Sequence, residues 1–221
     1  MQLRIYQLNQ ERASQGPILM ETGTSHPTAN AALYDEVFRG EGDWKDIQEA
    51  VDQFRLGEGH PVFRGRDIQP TDVFVTEQGA FFQGWEGLTK VAFDTDQAQK
   101  QEGLLRVLYV EPNRPPFETE IESDIHSLQK AVKGLIEPIY LGDNCILVGN
   151  EEAKLIGMEG NRRLDSGSVI AGPFFLVGDG GENFVSLTDR QVEQYMQRFA
   201  QPEQISRAEV EADMGWTFIS F

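Results

Sequence analysis

Hydrophobic and polar positions change their spacing several times along this chain, and the changes mark its elements. From Met1 to Leu8, Leu3 and Ile5, then Tyr6 and Leu8, recur at the two-residue step of a strand. Residues 9–30 carry Gly16-Pro17, Gly23 and His26-Pro27 and read as turns and loop. Between Trp44 and Phe54 the step lengthens to three and four, so that Ile47, Ala50, Val51 and Phe54 form one stripe of a helix. Asp43 is its expected N-cap and Asp46 lies near its positive end, while Gly57 and Gly59 stop it. A polar, turn-rich stretch follows His60-Pro61. Then come three short strands, Val73–Thr76, Phe81–Trp85 and Leu88–Phe93, separated by Gln78-Gly79 and Glu86-Gly87, the pattern of an antiparallel meander.

Residues 94–103 (DTDQAQKQEG) are polar and charged and read as a linker. The pattern restarts with a buried strand at Leu105–Val110. Pro112 and Pro115-Pro116 then mark an exposed crossing, because proline cannot donate to a sheet ladder. Phe117–Ile121 is a short strand. Ser123 is the expected cap of a helix with Ile125, Leu128 and Val132 on one face, stopped by Gly134 in the left-handed cap position. Leu135–Tyr140 and Cys145–Val148 pair around Gly142-Asp143-Asn144. The chain reads as irregular through Gly157, Gly160 and Gly167, and Val169–Val177 is a strand bent or placed at an edge by Gly172-Pro173. Thr188 and Gln191 form a capping box for a helix whose stripe is Val192, Tyr195, Met196 and Phe199. Ser206 and Glu209 repeat that signature before a short helix to Met214. Gly215 ends it, and the apolar segment Trp216–Phe221 is expected to add a strand to one of the sheets, with contact to a partner as the alternative.

These elements predict an α+β protein of two small domains, each a mainly antiparallel sheet with one or two packed helices. The expected division is 1–98, a linker at 99–103, a second domain at 104–200 and a C-terminal extension at 201–221.

Charge narrows the choice of partner. Nineteen Lys and Arg stand against 36 Asp and Glu, a formal net charge of −17. The excess is shared, with 9 basic and 17 acidic residues up to residue 103 and 10 and 19 beyond it, so it belongs to the whole surface. Such a surface repels nucleic acid and anionic membranes at long range and attracts basic proteins; solubility alone is the plainer reading of the charge, and a basic host protein is the partner it would suit. No apolar run approaches the length of a membrane span, the first residues read as a strand where a signal peptide would need an apolar block, and one cysteine makes no internal disulfide. A cytoplasmic protein is the expectation; oligomeric state is not legible.

The chemistry-bearing residues are few. Cys145 leads an apolar run and reads as a buried, inert thiol. His26, His60 and His126 show no ligand spacing, so no metal is expected, and no nucleotide-binding loop or other cofactor motif is present. Gly178-Asp179-Gly180-Gly181 lacks the basic residue of a phosphate cradle. Asn161, Arg162 and Arg163, in a glycine-rich loop, are the candidate anion site: two adjacent guanidiniums clamp a carboxylate or phosphate well, although pairing with Glu159 or Asp165 is the plainer alternative. Asp46, Glu49 and Asp52 fall toward the water side of the first helix with Asp43 at its start; together they form a candidate acidic interaction face, although an ordinary solvated helix face is the plainer alternative.

Two resemblances rest on particular residues. His60-Pro61, the segment Gly65-Arg66-Asp67-Ile68-Gln69-Pro70-Thr71-Asp72-Val73 and the hairpin ending at Phe93 make the first unit similar to the YodL-like domain of Firmicutes and their conjugative elements. That family tends to show Gly-Arg-Ser-Leu-Ser-x-Ser-Asp-Val, from which this chain departs at Asp67, Gln69 and Pro70. Val107–Pro112, the Ser127-Leu128-Gln129-Lys130-x-Val132-x-Gly134 helix, Asn150-Glu151-Glu152-x-Lys154, Asn161-Arg162, Ile170-Ala171-Gly172 and Ser186-Leu187-Thr188 make the second unit similar to a phage and mobile-element family catalogued as domain of unknown function 3846. Neither resemblance implies a reaction. With no nucleophile, base and orienter to assemble, a non-enzymatic interaction protein of a mobile element is favoured over an enzyme or small-anion binder built on Asn161–Arg163.

Overall fold

The structure is a computed structural model that describes residues 1–14, 20–21, 27–99 and 103–214. The turns expected at Gly16-Pro17, Gly23 and His26, the linker residues 100–102, and the tail from Gly215 to Phe221 lie outside the described residues. The chain divides into two compact units, Met1–Glu102 and Gly103–Phe221. No described helix is long and apolar enough to cross a membrane.

The first unit runs β1 (Gln2–Leu8), α1 (Gln10–Ser14), β2 (Met20–Glu21), β3 (Thr28–Ala29), β4 (Tyr34–Glu41), α2 (Ile47–Arg55), β5 (Val73–Thr76), β6 (Gly79–Gln83) and β7 (Leu88–Val91). Five of these strands form an antiparallel sheet in the order β4-β1-β5-β6-β7. The meander expected after residue 73 is present. Strand β4 had no counterpart in the sequence reading, and the loop expected over 9–30 carries short elements. Helix α2 begins later than its apolar stripe suggested: Asp46 is the N-cap, accepting the Glu49 backbone N–H at 2.9 Å, and Asp43 lies outside the helix. Trp44 lies before the helix, its ring tilted against Phe54 (5.9 Å between ring centroids) and its indole N–H donating to Gln53. Phe54 itself meets Phe38 and Phe63 edge-on at 5.0 and 5.1 Å, fixing α2 to its neighbours. A second aromatic group, Tyr6, Tyr34 and Phe93, closes a separate apolar cluster. The polar residues after Phe93 stay with this unit as far as Gln99, whose N–H donates to the Tyr34 carbonyl at 2.9 Å.

Asp72 is the buried ionic centre of the first unit. It is fully buried, accepts two bonds from Arg66 at 2.7 and 3.0 Å, and also takes the Gln69 N–H and the Gln7 side-chain amide. Burial pushes its carboxyl above the usual range despite the opposing pull of Arg66 and the other donors.

The second unit runs β8 (Leu104–Val110), β9 (Phe117–Glu122), α3 (Ile125–Val132), β10 (Ile136–Gly142), β11 (Cys145–Asn150), β12 (Gly160–Arg163), β13 (Val169–Ala171), β14 (Phe174–Asp179), β15 (Phe184–Val185), α4 (Asp189–Arg198) and α5 (Arg207–Asp213). Its main sheet has the order β10-β11-β14-β8-β9, with β15 added to β14. Leu108, Cys145, Leu147, Phe174 and Leu176 turn one face toward Val192, Tyr195 and Phe199 of α4. Alternation turns Val107, Tyr109, Ile146 and Val148 the other way, where the Tyr109 hydroxyl donates to the Ala131 carbonyl of α3 at 2.6 Å. Strands buried on both faces explain why the sequence reads there as unbroken apolar runs.

Local rules succeed at both capping boxes, on Thr188 and Ser206. They fail by one residue at each end of α3. Asp124, not Ser123, is the cap, since its carboxylate reaches the N–H groups of both His126 and Ser127. The left-handed residue is Lys133 (φ 58°), not Gly134. Glycine is required at 134 for another reason: a Cβ there would collide with the Asn150 side chain, which donates to the Lys133 carbonyl and finishes the helix. The β10–β11 hairpin turns at Asp143 and Asn144, both at φ 51°, as a type I′ turn demands.

Two outcomes test this organisation. Trypsin should cut first after Lys100, in the polar stretch, and leave two protease-resistant fragments by mass spectrometry; a first cut inside either sheet would refute independent units. Replacing Asp72 by Ala breaks its pair with Arg66, takes the acceptor from the Gln69 N–H and opens a void, and should lower stability by about 1–3 kcal/mol in urea unfolding.

Candidate functional site

Asn161, Arg162 and Arg163 lie on strand β12, not in a loop, and strand alternation sends the two guanidiniums apart. Arg162 is buried. Its Nε and Nη2 donate to the Phe199 carbonyl at 3.2 and 3.0 Å, Nη2 also to the Arg114 carbonyl at 2.6 Å, and Nη1 to the carbonyl and side-chain oxygens of Asn161 at 3.0 and 2.8 Å. That uses every N–H of a guanidinium. Burial lowers the Arg162 pKa, only partly offset by Glu203. The Asn161 amide donates in turn to the carbonyls of Val110 and Gly172. Arg163 turns outward and pairs with Glu209 at 2.7 Å and Glu203 at 3.7 Å. The expected local partners serve elsewhere, Glu159 accepting from Asn113 and Asp165 pairing with Arg198. The pair is thus a brace plus a surface ion pair, and it does not form a two-guanidinium clamp.

The acidic face is arranged as the helix stripe implied. Asp43, Asp46, Glu49 and Asp52 are all exposed, while Ala50, Val51 and Phe54 are buried. Three of the acids also hold the helix end together: Asp46 caps it, Glu49 accepts the Lys45 N–H at 2.7 Å, and Asp52 accepts from Gln48 and Arg55. Cys145 is buried beneath α4 against Tyr195, and burial pushes its thiol up to about 11. Around Gly180-Gly181 the backbone N–H groups are taken by Asn183 and by the Asp179 carboxylate, which leaves no phosphate cradle. Among the described residues no group of His, Cys, Asp and Glu is placed to hold a metal.

A site that sequence reading missed lies in the second unit. The β12–β13 hairpin stands off the β10–β11 face and leaves a half-open cleft of about 430 Å³. Its floor is the cross-strand pairs Glu137–Gly149 and Ile139–Leu147. One wall comes from Leu164, Ser166 and Ser168 with Val169–Ala171, and one end from the turn Asn150–Lys154. Ile139, Leu147, Leu164 and Ile170 are shared with the core under α4. Lys154 donates to Asp213 of α5 at 2.6 Å, and Asp213 also takes the Val169 N–H at 3.0 Å. Burial raises the Asp213 carboxyl, but the Lys154 and Val169 donors outweigh it and hold it below the usual range. No periodicity could have shown this cleft, because it is made between elements whose only link is tertiary.

These features define an α+β protein with two antiparallel-sheet units and a concave site in the second. Residues 105–200, from β8 to just past α4, match the profile of a family described as a domain of unknown function (DUF3846), and every residue lining the cleft falls inside that match. No curated protein and no solved structure matches the chain.

Replacing Arg162 by Ala should cost about 3–5 kcal/mol in chemical unfolding, because it strands the Phe199 and Arg114 carbonyls and opens a void. Replacing Arg163 by Ala should cost less than about 1 kcal/mol. Cys145 should react slowly with a disulfide reagent at pH 8 in the native protein and rapidly once unfolded; fast native reaction would contradict the buried thiol.

Proposed function

We propose that this chain is a non-enzymatic interaction protein of a phage or mobile genetic element that docks on a basic surface of a host DNA-binding or defence protein. The observation that carries this reading is α2, where Asp46, Glu49 and Asp52 recur along one exposed side over roughly 9 Å of helix axis, with Asp43 beside its start. Asp46 and Glu49 accept backbone N–H groups, which leaves their charge in place, the Lys45–Glu49 (4.0 Å) and Arg55–Asp52 (3.4 Å) pairs are exposed and weak, and the net charge of −17 adds a long-range field of the same sign. The mobile-element setting rests on the likeness of the second unit to its family. The first unit is read as YodL-like on its sequence pattern alone, within which Arg66 pairs with the buried Asp72 and holds the segment before β5. An anion site on Asn161–Arg163 has less support, because Arg162 has no donor left to offer.

The test is capture from a host lysate at low salt. A basic DNA-binding protein should be retained, released as salt rises, and displaced by duplex DNA. The triple change Asp46→Asn, Glu49→Gln, Asp52→Asn keeps the capping acceptors and should weaken capture at least severalfold. Unchanged capture by that variant would remove α2 from the interface.

A further inference from the structure

We infer that the cleft between the β10–β11 face and the β12–β13 hairpin binds a small organic cation, an amine or guanidine carried on an apolar body. The first reason is Gly149. Glycine inside a strand costs stability, and its usual justifications are a left-handed backbone, a bulge, or close approach of another chain segment. Gly149 has none of these: its φ is not positive, it pairs in regular register with Glu137, and a Cβ built on it would meet only the Leu147 side chain, at 3.8 Å. The absent side chain leaves the floor of the cleft open. At about 430 Å³, the space falls within the roughly 300–1,000 Å³ of small-molecule sites.

The second reason is the balance of polar groups around it. Lys154 is neutralised by Asp213, and the Asn150 side chain is spent on the carbonyls of Val132 and Lys133 and the N–H of Glu152. What remains charged at the rim is Glu137 and Glu151, whose carboxylates have no partner among the described residues. Two unpaired carboxylates, exposed at the mouth of the cleft, favour a cation there over an anion. Ile139 and Leu147 on the floor and Leu164 and Ile170 on the wall supply the surface for an apolar body, and Ser166 and Ser168 complete the lining without adding charge. This site is independent of the acidic helix α2, which belongs to the other unit.

The experiment is methyl NMR on the full chain, following Ile139, Leu147, Leu164 and Ile170 during titration with 2-phenylethylamine and hexylamine and with the uncharged 2-phenylethanol and 1-hexanol. The amines should give saturable shifts and bind roughly tenfold more tightly than the alcohols. Glu137→Gln with Glu151→Gln should erase that difference while leaving alcohol binding unchanged. Gly149→Val, which fills the floor without straining the backbone, should abolish both; Ser166→Trp, on the exposed lip, should do the same if the Gly149→Val chain does not fold. No saturable shift with either amine, equal affinity for amine and alcohol, or undiminished binding by the folded cleft-filling variants would each overturn the assignment.

Discussion

The second unit depends on one buried guanidinium. Arg162 binds the last carbonyl region of α4 through Phe199, the crossing between β8 and β9 through Arg114, and its own strand through Asn161. A buried charge without a carboxylate partner is costly, and here the compensation is carbonyl oxygen, part of it at a helix C-terminus where the backbone dipole favours a cation. Asn161 extends the brace to Val110 and Gly172, so two adjacent side chains join β8, β12, the turn before β14 and the end of α4.

The brace also decides where open space can exist. With β12 tied to the α4 end of the sheet, the β13 side of the hairpin is left standing over β10 and β11, and Asp213 of α5 secures its outer edge through Val169 and Lys154. The sheet beneath could close that gap with one larger side chain at position 149, and it carries glycine there. A rigid wall, a polar rim and an unfilled floor are the parts of a small-molecule site, and in this chain they are by-products of how the hairpin is held.

Electrostatics sets the two units apart from most partners and gives each its own use for acid. In the first unit, Asp72 is buried and paired while the α2 carboxylates are exposed at a helix start. In the second, Asp213, Glu209 and Asp165 are matched by lysine or arginine, which leaves Glu137 and Glu151 as the unmatched pair at the cleft. Exposed acid along a helix suits the long-range attraction of a basic protein, whereas exposed acid at the mouth of an apolar cleft suits a small cation with an apolar body.

Whatever depends on near neighbours was legible in the order of residues. The apolar runs of β8 and β11, the meander β5–β7, the stripes of α2 and α4 and both capping boxes belong here, because each is set by contacts within a few residues. The single bent or edge strand expected over Val169–Val177 is instead broken at Gly172-Pro173 into β13, paired with β12, and β14, inside the main sheet. Ends were less legible, since Asp43 and Asp46, and likewise Ser123 and Asp124, are all good capping residues, and which one accepts the first N–H groups depends on the backbone path into the helix. The fate of Asn161-Arg162-Arg163 was settled at the tertiary level alone. A short polar run between glycines looks like an exposed loop until residues dozens of positions away supply carbonyls for Arg162 and acids for Arg163. The cleft belongs to the same class: its floor, wall and clasp come from β10–β11, β12–β13 and α5, and the space between them exists only after all three are in place.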